Sequence, residues 1–471
     1  MKVLLTGANG YIGKRILPSL VYNGHHVICC VRDKNRLTIP KAFAEKVKII
    51  EVDFLDKHSL AAIPKNIDGA YFLIHSMSTS DDFSTLELKS AQNFREYMDT
   101  TKVQHVIYLG GIVNNKVLSK HLLSRKAVEE ELSKGKYHFT ALRAGIIIGS
   151  GSASFEIIRD LVEKLPIMIA PKWLNTKCQP IGIRDVISLL SLSLFNPITY
   201  DQQFDIGGPD ILSYKEMLQG YAYNRQLKRI IRIVPIMTPR LSSYWLFFVT
   251  STSYKLAIAL VDSMKVEVVC KPNNLAKELG IEPESYQDAL NRAFTKIETH
   301  EVISSWKDSL ISGRFDRNIS EFIKVPKFGC MKDKRSIQIE NEEKCIEKIW
   351  KIGGETGWYY ANWLWRFRGF LDKMVGGVGL RRGRTNVQTI HSGDAVDFWR
   401  VLYAQKEEKR LLLYAEMKMP GDAWLEFKIE NHVLTQTATF RPKGLLGRIY
   451  WYGVYPFHGS IFGGMIRKLA G

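Results

Sequence analysis

The sequence has few cysteines. Six cysteines are scattered through 471 residues without a C-x-x-C spacing. Zinc sites and disulfide frameworks both need paired cysteines, so the sequence predicts no metal site and no disulfide-stabilised fold. Unpaired thiols are typical of a reducing compartment, and we expect a cytoplasmic protein.

Long apolar runs are also missing. One such uncharged stretch, residues 241–254, has only 14 residues and includes several serines and threonines. A membrane-spanning helix needs about 20 apolar residues. The first residues hold only a short apolar stretch before polar ones, unlike a signal peptide. We therefore expect no transmembrane segment, while peripheral contact with a membrane surface stays open.

Acidic residues are scarce relative to basic ones. The chain has 66 Lys and Arg against 48 Asp and Glu, a formal net charge of +18. Such a surface attracts anions in general. A nucleic-acid binder concentrates its positive charge in one patch, whereas here the excess is spread along the chain. We therefore expect a small-molecule substrate and no nucleic-acid partner.

The first third of the chain alternates short β-branched runs with amphipathic stretches. This alternation predicts βαβ units around a parallel sheet, the α/β fold class. The expected strands are 3–5, 27–31, 47–52, 69–74, 106–109 and 139–143, and the expected helices are 13–23, 85–100 and 124–134. From residue 149 the pattern loosens into a smaller lobe. There Ser213 and Glu216 have the spacing of a capping box that opens a helix.

A glycine-rich segment follows the first expected strand and opens the first expected helix. It reads Thr6-Gly7-Ala8-Asn9-Gly10-Tyr11-Ile12-Gly13. Gly7 permits a tight turn, Gly10 permits close approach of a pyrophosphate, and Gly13 permits close packing of helix and sheet. Free N–H groups at the start of the helix then bind the phosphates. The segment predicts a dinucleotide-binding Rossmann domain over residues 1–310, with a substrate lobe mainly at 150–310.

Further motifs resemble those of the extended and atypical short-chain dehydrogenases/reductases, including NmrA-like proteins. In chain order these are the glycine segment, Val52-Asp53-Phe54-Leu55-Asp56, Leu142-Arg143-Ala144-Gly145, Pro180-Ile181 with Asp185-Val186, and Phe204-Asp205-Ile206-Gly207-Gly208-Pro209. The resemblance implies that Asp53 and Phe54 flank an adenine. His75 and Ser76, which follow the fourth expected strand, either line the cofactor cleft or are ordinary loop residues. The resemblance also implies cofactor contacts along the glycine segment, at Thr6, Gly7, Asn9, Gly10, Tyr11, Ile12 and Gly13.

The residues after the second strand decide between the two nicotinamide cofactors. NAD-binding domains place a carboxylate there for the ribose 2′-hydroxyl, and NADP-binding domains place an arginine for the 2′-phosphate. Both types are present as Arg32 and Asp33, and Arg36 is within reach as a second cation. In the atypical members that the chain resembles, an arginine at this position marks NADP. We expect NADP(H), with NAD(H) as the alternative and a plain exposed charge as the alternative role of Arg32.

The family resemblance fails at the catalytic residues. Members transfer a hydride with help from a tyrosine, a lysine four residues later and a serine. At the matching positions this chain has His121, Arg125 and Gly110-Gly111. Three interpretations stay open. His121, which titrates near neutrality, exchanges a proton beside Arg125; another donor or water does so; or the domain binds its cofactor without turnover.

The composition changes after residue 341, where seven of the ten tryptophans fall. Charged, weakly periodic residues 311–344 predict a linker before a separate domain at 345–471. Runs at 410–417, 423–429 and 433–440, joined by short turns, predict an antiparallel meander. An apolar segment at 444–469 predicts a long helix that breaks at Pro456.

Residues 353–471 resemble a domain of unknown function that is fused to such Rossmann proteins in bacteria. The motifs that carry the resemblance are GGVGLRRGR at 376–384, GDAVDFW at 393–399 and PGDAWL at 420–425. It implies a START-like helix-grip fold, in which a curved antiparallel sheet wraps a long helix and encloses an apolar cavity. Trp399 and Trp424 then either line a cavity for an apolar ligand or fill a core.

Together these features predict an NADP(H)-dependent oxidoreductase of the atypical type. Its expected substrate is a small carbonyl compound, a lipidic molecule or a nucleotide-sugar-like molecule. The alternative is a non-catalytic NADP(H) sensor whose C-terminal domain binds a hydrophobic ligand or a partner.

Overall fold

The computed structural model describes residues 1–34, 37, 39–74, 83–113, 120–234, 262, 264–298, 325, 330–374, 379, 390–391 and 394–471. The chain divides into two compact units, Met1–Trp306 and Lys307–Gly471. Each unit has its own sheet and its own hydrophobic core.

The N-terminal unit alternates strands and helices as its sequence predicts. Its strands are β1 (Lys2–Thr6), β2 (His26–Val31), β3 (Val47–Glu51), β4 (Gly69–Phe72), β5 (His105–Gly111), β6 (His138–Ala144), β7 (Ile146–Ile148), β8 (Ile167–Pro171), β9 (Lys177–Cys178), β10 (Pro180–Gly182), β11 (Gln202–Ile206), β12 (Leu212–Ser213) and β13 (Ile230–Val234). Its helices are α1 (Tyr11–Tyr22), α2 (Phe83–Met98), α3 (Lys120–Leu132), α4 (Ala153–Lys164), α5 (Ile183–Ser193), α6 (Tyr214–Asn224), α7 (Leu275–Glu278) and α8 (Tyr286–Glu298). All six expected strands and all three expected helices are confirmed.

Seven of these strands form one parallel sheet in the order β11-β6-β5-β4-β1-β2-β3. Successive side chains of a strand point to opposite faces of the sheet. Both faces are covered by helices. On β1, Val3 and Leu5 pack with Ile16 of α1, whereas Leu4 packs with Phe94 of α2. This burial on both faces explains why the strands read as continuous apolar runs. The α/β class and the Rossmann arrangement are confirmed.

The substrate lobe is built from short strand pairs and three helices. The strand pairs are β7 with β10, β8 with β13, and β9 with β12. Helices α4, α6 and α8 meet at Phe155, Tyr221 and Phe294, whose ring centroids lie 5.1–6.0 Å apart. The capping box at the start of α6 is confirmed, with both reciprocal hydrogen bonds between Ser213 and Glu216 present.

The C-terminal unit is an antiparallel sheet packed against helices. Its elements are β14 (Met331–Gln338), α9 (Glu342–Trp350), α10 (Asn362–Met374), β15 (Ala395–Val396), β16 (Trp399–Gln405), β17 (Arg410–Ala415), β18 (Gly421–Glu430), β19 (Val433–Pro442) and α11 (Gly444–Ala470). The sheet order is β14-β19-β18-β17-β16-β15. Ile349 of α9, Trp365 of α10 and Met465 of α11 share one core with the inner face of the sheet. The predicted meander is confirmed, and the START-like resemblance stays a prediction.

Two predictions for this region are wrong in part. The expected linker 311–344 contains β14, which pairs with β19 over eight residues from Met331 to Gln338. Its alternation of charged and half-buried residues is that of an edge strand, and charge alone suggested a linker. The expected break at Pro456 is absent, because α11 runs through it. Pro456 has no backbone N–H, so the carbonyl of Tyr452 loses its helical partner. Both residues lie on the exposed face of α11, where water can bond that carbonyl.

Trp399 and Trp424 do not line one cavity. Trp399 pairs with Ala415 across β16 and β17, and Trp424 pairs with Tyr414 across β17 and β18. Neighbouring residues of β17 face opposite ways, so this register places the two tryptophans on opposite faces of the sheet. Both side chains are buried, at 5% and 3% exposure. The alternative in which the two tryptophans line one cavity is therefore wrong, and each tryptophan fills a core.

Among the described residues, no helix combines the length and the apolar character that crossing a membrane requires.

Candidate active site

The sheet order locates a crevice at the carboxyl ends of the strands. Strands β1 and β4 are neighbours, while β2 and β3 lie on one side of them and β5 and β6 on the other. The chain therefore reverses its direction of winding between β1 and β4. In parallel sheets, ligands bind at such a switch point. The glycine segment follows β1 directly, so it lies at this crevice.

The glycine segment forms a tight turn that needs its glycines. Gly7 has a φ of +62°, a conformation that strains other residues. A Cβ on Gly7 would lie 2.7 Å from the carbonyl oxygen of Leu73, at the end of β4. The turn closes with a hydrogen bond from Gly10 N to Gly7 O at 2.8 Å. A Cβ on Gly13 would overlap this turn at Gly7 and Ala8, so Gly13 lets α1 begin directly against it.

The first turn of α1 has the features of an anion site. Its N-cap is Gly10, which has no side chain to accept from the first N–H groups of the helix, and the first turn carries no acidic residue. Among the described residues, a Cβ on Gly10 would meet only the Gly7 carbonyl oxygen, at 3.0 Å, so the space in front of the helix is open. The N–H groups and the positive end of the helix can therefore hold a pyrophosphate. The residues present fit a dinucleotide.

Other residues of the segment support the turn. Thr6 is fully buried, and its Oγ1 accepts a hydrogen bond from Leu73 N at 3.0 Å, which joins the ends of β1 and β4. Thr6 therefore positions the crevice, and its predicted contact with the cofactor is replaced by this role. Asn9 and Ile12 are half-buried at the mouth of the turn.

Tyr11 ties the start of α1 to the substrate lobe. Burial raises the pKa of its hydroxyl to about 12, although the nearby Arg15 guanidinium acts in the opposite direction. Arg15 lies over the Tyr11 ring, 4.0 Å from its centroid, and donates to the Ser150 carbonyl oxygen at 2.8 Å. Ser150 lies in the turn that precedes α4. Tyr11 is thus a positioning residue for the crevice.

The two charged residues after β2 are placed differently. Arg32 is exposed, whereas Asp33 is only 6% exposed and already interacts within the protein. The arginine is therefore the side chain that this strand end presents to a ligand. Arg36 lies outside the described residues.

Asp53 and Phe54 separate into a surface residue and a core residue. The Asp53 carboxylate accepts a hydrogen bond from Leu55 N at 3.0 Å and is half-buried. The Phe54 side chain is 5% exposed and packs on Phe72 and Phe94, with centroids 6.5 and 5.8 Å away. The Phe54 side chain thus belongs to the core under α2, and the contact of Asp53 and Phe54 with an adenine stays a prediction. His75 and Ser76 lie outside the described residues.

Helix α3 carries the two candidate catalytic residues. His121 and Arg125 are four residues apart and therefore share a helix face; the side chain of His121 lies outside the described part. A Cβ on Gly111, at the end of β5, would lie 3.2 Å from Arg125 Cδ and 3.1 Å from Leu122 Cδ2. The side chains of α3 thus occupy the space beside residue 111. The glycine at the expected serine position therefore leaves room for the arginine at the expected lysine position.

A buried ion pair fixes α3 to the sheet. Arg143 of β6 donates to the carboxylate of Glu129 of α3, with Nε to Oε2 at 2.9 Å. The hydrogen bond to Glu129 raises the pKa of Arg143, and both side chains are largely buried. Arg143 belongs to the Leu-Arg-Ala-Gly motif, so this motif serves to hold the candidate catalytic helix in place.

An apolar cavity of about 180 Å³ opens beside Arg125. It lies at the ends of β5 and β6, between α3 and the substrate lobe, and α4 and α6 supply eight of its nineteen lining residues. Its lining residues are Gly111, Ile112, Leu122, Arg125, Ala144, Gly145, Ile146, Ala153, Ser154, Ile157, Ile158, Leu161, Trp173, Leu174, Tyr214, Met217, Leu218, Met264 and Val268. Arg125 is the one charged side chain among them.

Two polar groups of this lining have no partner among the described residues. They are Arg125 Nε and Trp173 Nε1, both buried atoms. Buried donors are normally paired, so each can bond an acceptor on a bound molecule. Trp173 and the walls from α4 and α6 were not predicted as site residues. The only signal in the sequence was the apolar face of each helix, which cannot be told from an ordinary core face.

The comparisons with protein families divide the chain in the same way as the structure does. Residues 7–160 match a family described as NAD(P)H-binding. Residues 330–465 match a protein family of unknown function (DUF2867). The second match begins just before β14, in agreement with the placement of this strand in the C-terminal unit.

Characterised relatives and solved structures resemble the N-terminal part. An isoflavone reductase homologue of Lupinus albus is 24% identical over 239 residues, 46% of this chain and 73% of that protein. The chloroplastic divinyl chlorophyllide a 8-vinyl-reductase of Arabidopsis thaliana is 20% identical over 226 residues, 44% of this chain and 54% of that protein. A nucleoside-diphosphate-sugar epimerase from Staphylococcus aureus superposes with a TM-score of 0.51 at 17% identity, covering 62% of this chain and 99% of that one.

A second structure has the same fold. The triphenylmethane reductase of a Citrobacter species superposes with a TM-score of 0.51 at 14% identity, covering 63% of this chain and all of that one. At these identities the likeness establishes the fold of the N-terminal unit. Together with the NAD(P)H-binding family match and the glycine turn, it leads to one conclusion. The N-terminal unit has a Rossmann fold, and its first half matches an NAD(P)H-binding family.

Proposed function

We propose that the protein is an NADP(H)-dependent oxidoreductase that transfers a hydride to or from an apolar substrate with a carbonyl-type oxygen. The observation that carries this proposal is the apolar cavity beside Arg125, with its two unpartnered donors among the described residues. The cavity lies at the same edge of the sheet as the glycine turn. Strands β1 and β5 are separated only by β4, a distance of roughly 10 Å. A dinucleotide held at the turn can therefore extend along this edge to the cavity.

The preference for NADP(H) rests on the end of β2. Arg32 is exposed and can meet a 2′-phosphate with its planar guanidinium. Asp33, the residue that could hold a free ribose 2′-hydroxyl, is buried and engaged within the protein. The exposed cation and the occupied carboxylate both favour the phosphorylated cofactor.

The cavity favours a small apolar group over a nucleotide sugar. Its volume of about 180 Å³ is close to that of an engineered cavity of about 150 Å³ in another protein, which binds benzene. A ring or a short branched chain fits such a space. The many charges and hydroxyls of a nucleotide sugar would find one cation and an apolar wall. A small carbonyl compound or the head of a lipidic molecule is the better match.

The proposed mechanism divides the work between the two residues of α3. The nicotinamide supplies or accepts the hydride. The Arg125 guanidinium stabilises negative charge on the substrate oxygen. His121, on the same face of α3, exchanges the proton with that oxygen. This replaces the tyrosine and lysine of the family by a histidine and an arginine.

The experiment is turnover of NADPH with a panel of apolar aldehydes, ketones and enones. Arg125→Met keeps the length of the side chain but removes its donors, and we expect kcat/KM to fall by about 10²–10³-fold. His121→Phe should lower turnover by about 10²–10⁴-fold while cofactor affinity stays nearly unchanged. Lys126→Met, on an exposed position of the same helix, is the matched control and should have no effect.

A second candidate function follows from the missing serine, tyrosine and lysine. Gly111 and Arg125 stand at two of these positions, and a domain without the catalytic set can bind cofactor as a sensor. No turnover across the panel, with NADPH bound, would favour the sensor. Turnover that survives both substitutions would contradict the proposed roles of Arg125 and His121.

A further inference from the structure

Helix α10 of the C-terminal unit presents large apolar side chains to solvent. Trp363, Phe367, Phe370 and Met374 are 54–68% exposed. They recur at intervals of three and four residues, so they form one stripe along the helix. The opposite face carries Trp365, which is buried in the core. A helix that buries one apolar face and exposes another is unusual in a water-soluble unit.

The first half of α11 has a similar stripe. Leu445, Leu446, Ile449 and Tyr452 are 59–73% exposed. The neighbouring Trp451 is buried and stacks on Phe440, with ring centroids 5.7 Å apart. As in α10, one face of α11 fills the core and the other faces water.

The two stripes belong to adjacent helices. Arg368 Nη2 of α10 lies 3.4 Å from Tyr450 Oη of α11, so the helices meet at this level. We call the exposed stripes of α10 and of the first half of α11 the aromatic surface. Single exposed apolar residues are common, but four large apolar side chains on one face of each of two helices mark an interaction site.

The charges on the aromatic surface are all positive. Helix α11 contains no acidic residue in its 27 positions. The one acidic residue of α10, Asp372, is fully buried and accepts hydrogen bonds from Gly379 N and Lys418 N, both at 2.7 Å. By contrast, Arg366 and Arg448 are exposed. Arg366 is three residues after Trp363 and four before Phe370, so it lies within the stripe.

We propose that the aromatic surface binds reversibly to a membrane that contains anionic phospholipids. Amphipathic helices with aromatic and aliphatic side chains on one face and arginines beside them insert into the boundary between headgroups and acyl chains. Tryptophan and tyrosine favour this boundary because they combine an apolar ring with a polar atom. The arginines reach the lipid phosphates, to which the net charge of +18 also contributes attraction.

The same charges disfavour a second copy of the chain as the occupant. A two-fold symmetric dimer through this surface places the same residues of both copies near one another. Arg366 and Arg448 would then face equal charges across an interface that carries no exposed acidic residue on either helix. Like charges across an interface cost affinity.

The test is co-flotation of the full-length protein with vesicles. Vesicles of phosphatidylcholine with phosphatidylglycerol should bind the protein, and vesicles of phosphatidylcholine alone should bind it much more weakly. Binding should fall at about 1 M ionic strength, where charges are screened beyond roughly 3 Å. The double variant Arg366→Glu/Arg448→Glu should bind anionic vesicles at least about 10-fold more weakly. Trp363→Ser/Phe367→Ser should lose a similar factor, because it removes apolar area that inserts.

Matched controls separate the surface from general charge and hydrophobicity. Lys48→Glu/Lys102→Glu changes the net charge by the same amount on exposed positions of the N-terminal unit. Tyr223→Ser removes an 83% exposed aromatic side chain from α6. Both controls should bind anionic vesicles like the parent protein. Circular dichroism should show that all variants are folded.

Three results would overturn the proposal. The first is no binding of the parent protein to anionic vesicles. The second is equal loss in the controls and in the surface variants. The third is a parent protein that is dimeric in sedimentation and becomes monomeric in Trp363→Ser/Phe367→Ser, which would assign the surface to a second copy.

Discussion

The two units of the chain place their functional surfaces by different rules. In the N-terminal unit the crevice lies where all parallel strands end, and the chain order of the strands fixes its position. In the C-terminal unit neighbouring strands run in opposite directions, and no common edge collects the loops. Its exposed apolar stripes lie on the outer faces of helices instead. A parallel sheet thus localises a site by topology, whereas the antiparallel unit reveals one only through the exposure of its side chains.

Two buried ionisable sites, one in each unit, differ in charge state. The C-terminal sheet encloses Arg400 and Glu416, each with a fully buried side chain, as a paired cation and anion. The N-terminal sheet encloses His105 in its neutral form. A buried charge is stable only with its partner, and a buried neutral base is stable only while it stays neutral. This contrast gives two measurable differences between the units.

The largest effect is expected from breaking the buried pair of the C-terminal unit. Arg400 Nε lies 3.1 Å from Glu416 Oε1, and Glu416→Gln would leave the guanidinium without its counter-charge. The loss of unfolding free energy should be about 3–5 kcal/mol. Denaturant titration, followed by hydrogen exchange of β17, measures it in this unit.

A neighbouring pair serves as its control. Arg410 Nε lies 2.8 Å from Glu426 Oε1, but both side chains are partly exposed. Glu426→Gln should cost no more than about 1 kcal/mol, because water screens the remaining charge. Equal losses in the two variants would contradict the importance of burial.

A smaller effect is expected from acidifying the N-terminal unit. His105 Nδ1 accepts from Phe195 N at 2.9 Å, and Nε2 lies 2.8 Å from Thr140 Oγ1, which itself donates to the Thr199 carbonyl oxygen. Protonation would place a hydrogen on Nδ1 against the Phe195 N–H. Burial first, and then the positive charge of His138, lower the pKa of His105 to about 4.

The sign of the pH dependence follows from this lowered pKa. The unfolded chain takes up the proton near pH 6.5 and the folded unit only near pH 4. The stabilisation is therefore complete above pH 6.5, decreases as the pH falls, and reaches its full loss below pH 4, about 3 kcal/mol. Hydrogen exchange of β5, corrected for intrinsic rates, should show this slope in the parent and not in His105→Gln. An identical slope in both proteins would contradict the assignment.

Features that depend on neighbouring residues were predicted correctly from the sequence in both units. The glycine segment and the strands of the parallel sheet follow local rules, because each glycine and each apolar run acts through its immediate neighbours. The meander and the capping box at Ser213 are local in the same sense. All of these are confirmed.

The wrong predictions concern long-range packing. Strand β14 was interpreted as a linker because its partner β19 is about a hundred residues away. One cavity was considered for Trp399 and Trp424 because the strand register, which decides the face of the sheet on which each residue lies, cannot be read from the sequence.

The candidate site shows the same limit. The motif alignment predicted His121 and Arg125, but it read Gly111 only as a missing serine. The structure shows that Arg125 and Leu122 occupy the space beside Gly111, so the two departures from the family depend on each other. The cavity walls from α4 and α6 carry no motif at all. They are defined by the gap between helices, which has no sequence signature.

The most direct test of the account is calorimetric titration of the parent protein, Arg32→Ala and Gly10→Val with NADPH and NADH. The account predicts tighter binding of NADPH than NADH. Arg32→Ala should weaken NADPH by roughly 10–150-fold, the loss of a charge-assisted hydrogen bond of about 1.5–3 kcal/mol, and leave NADH unchanged. Gly10→Val should abolish binding of both, because its side chain would enter the open space in front of α1. Equal affinities for the two cofactors, or an Arg32→Ala variant that binds NADPH like the parent, would contradict it.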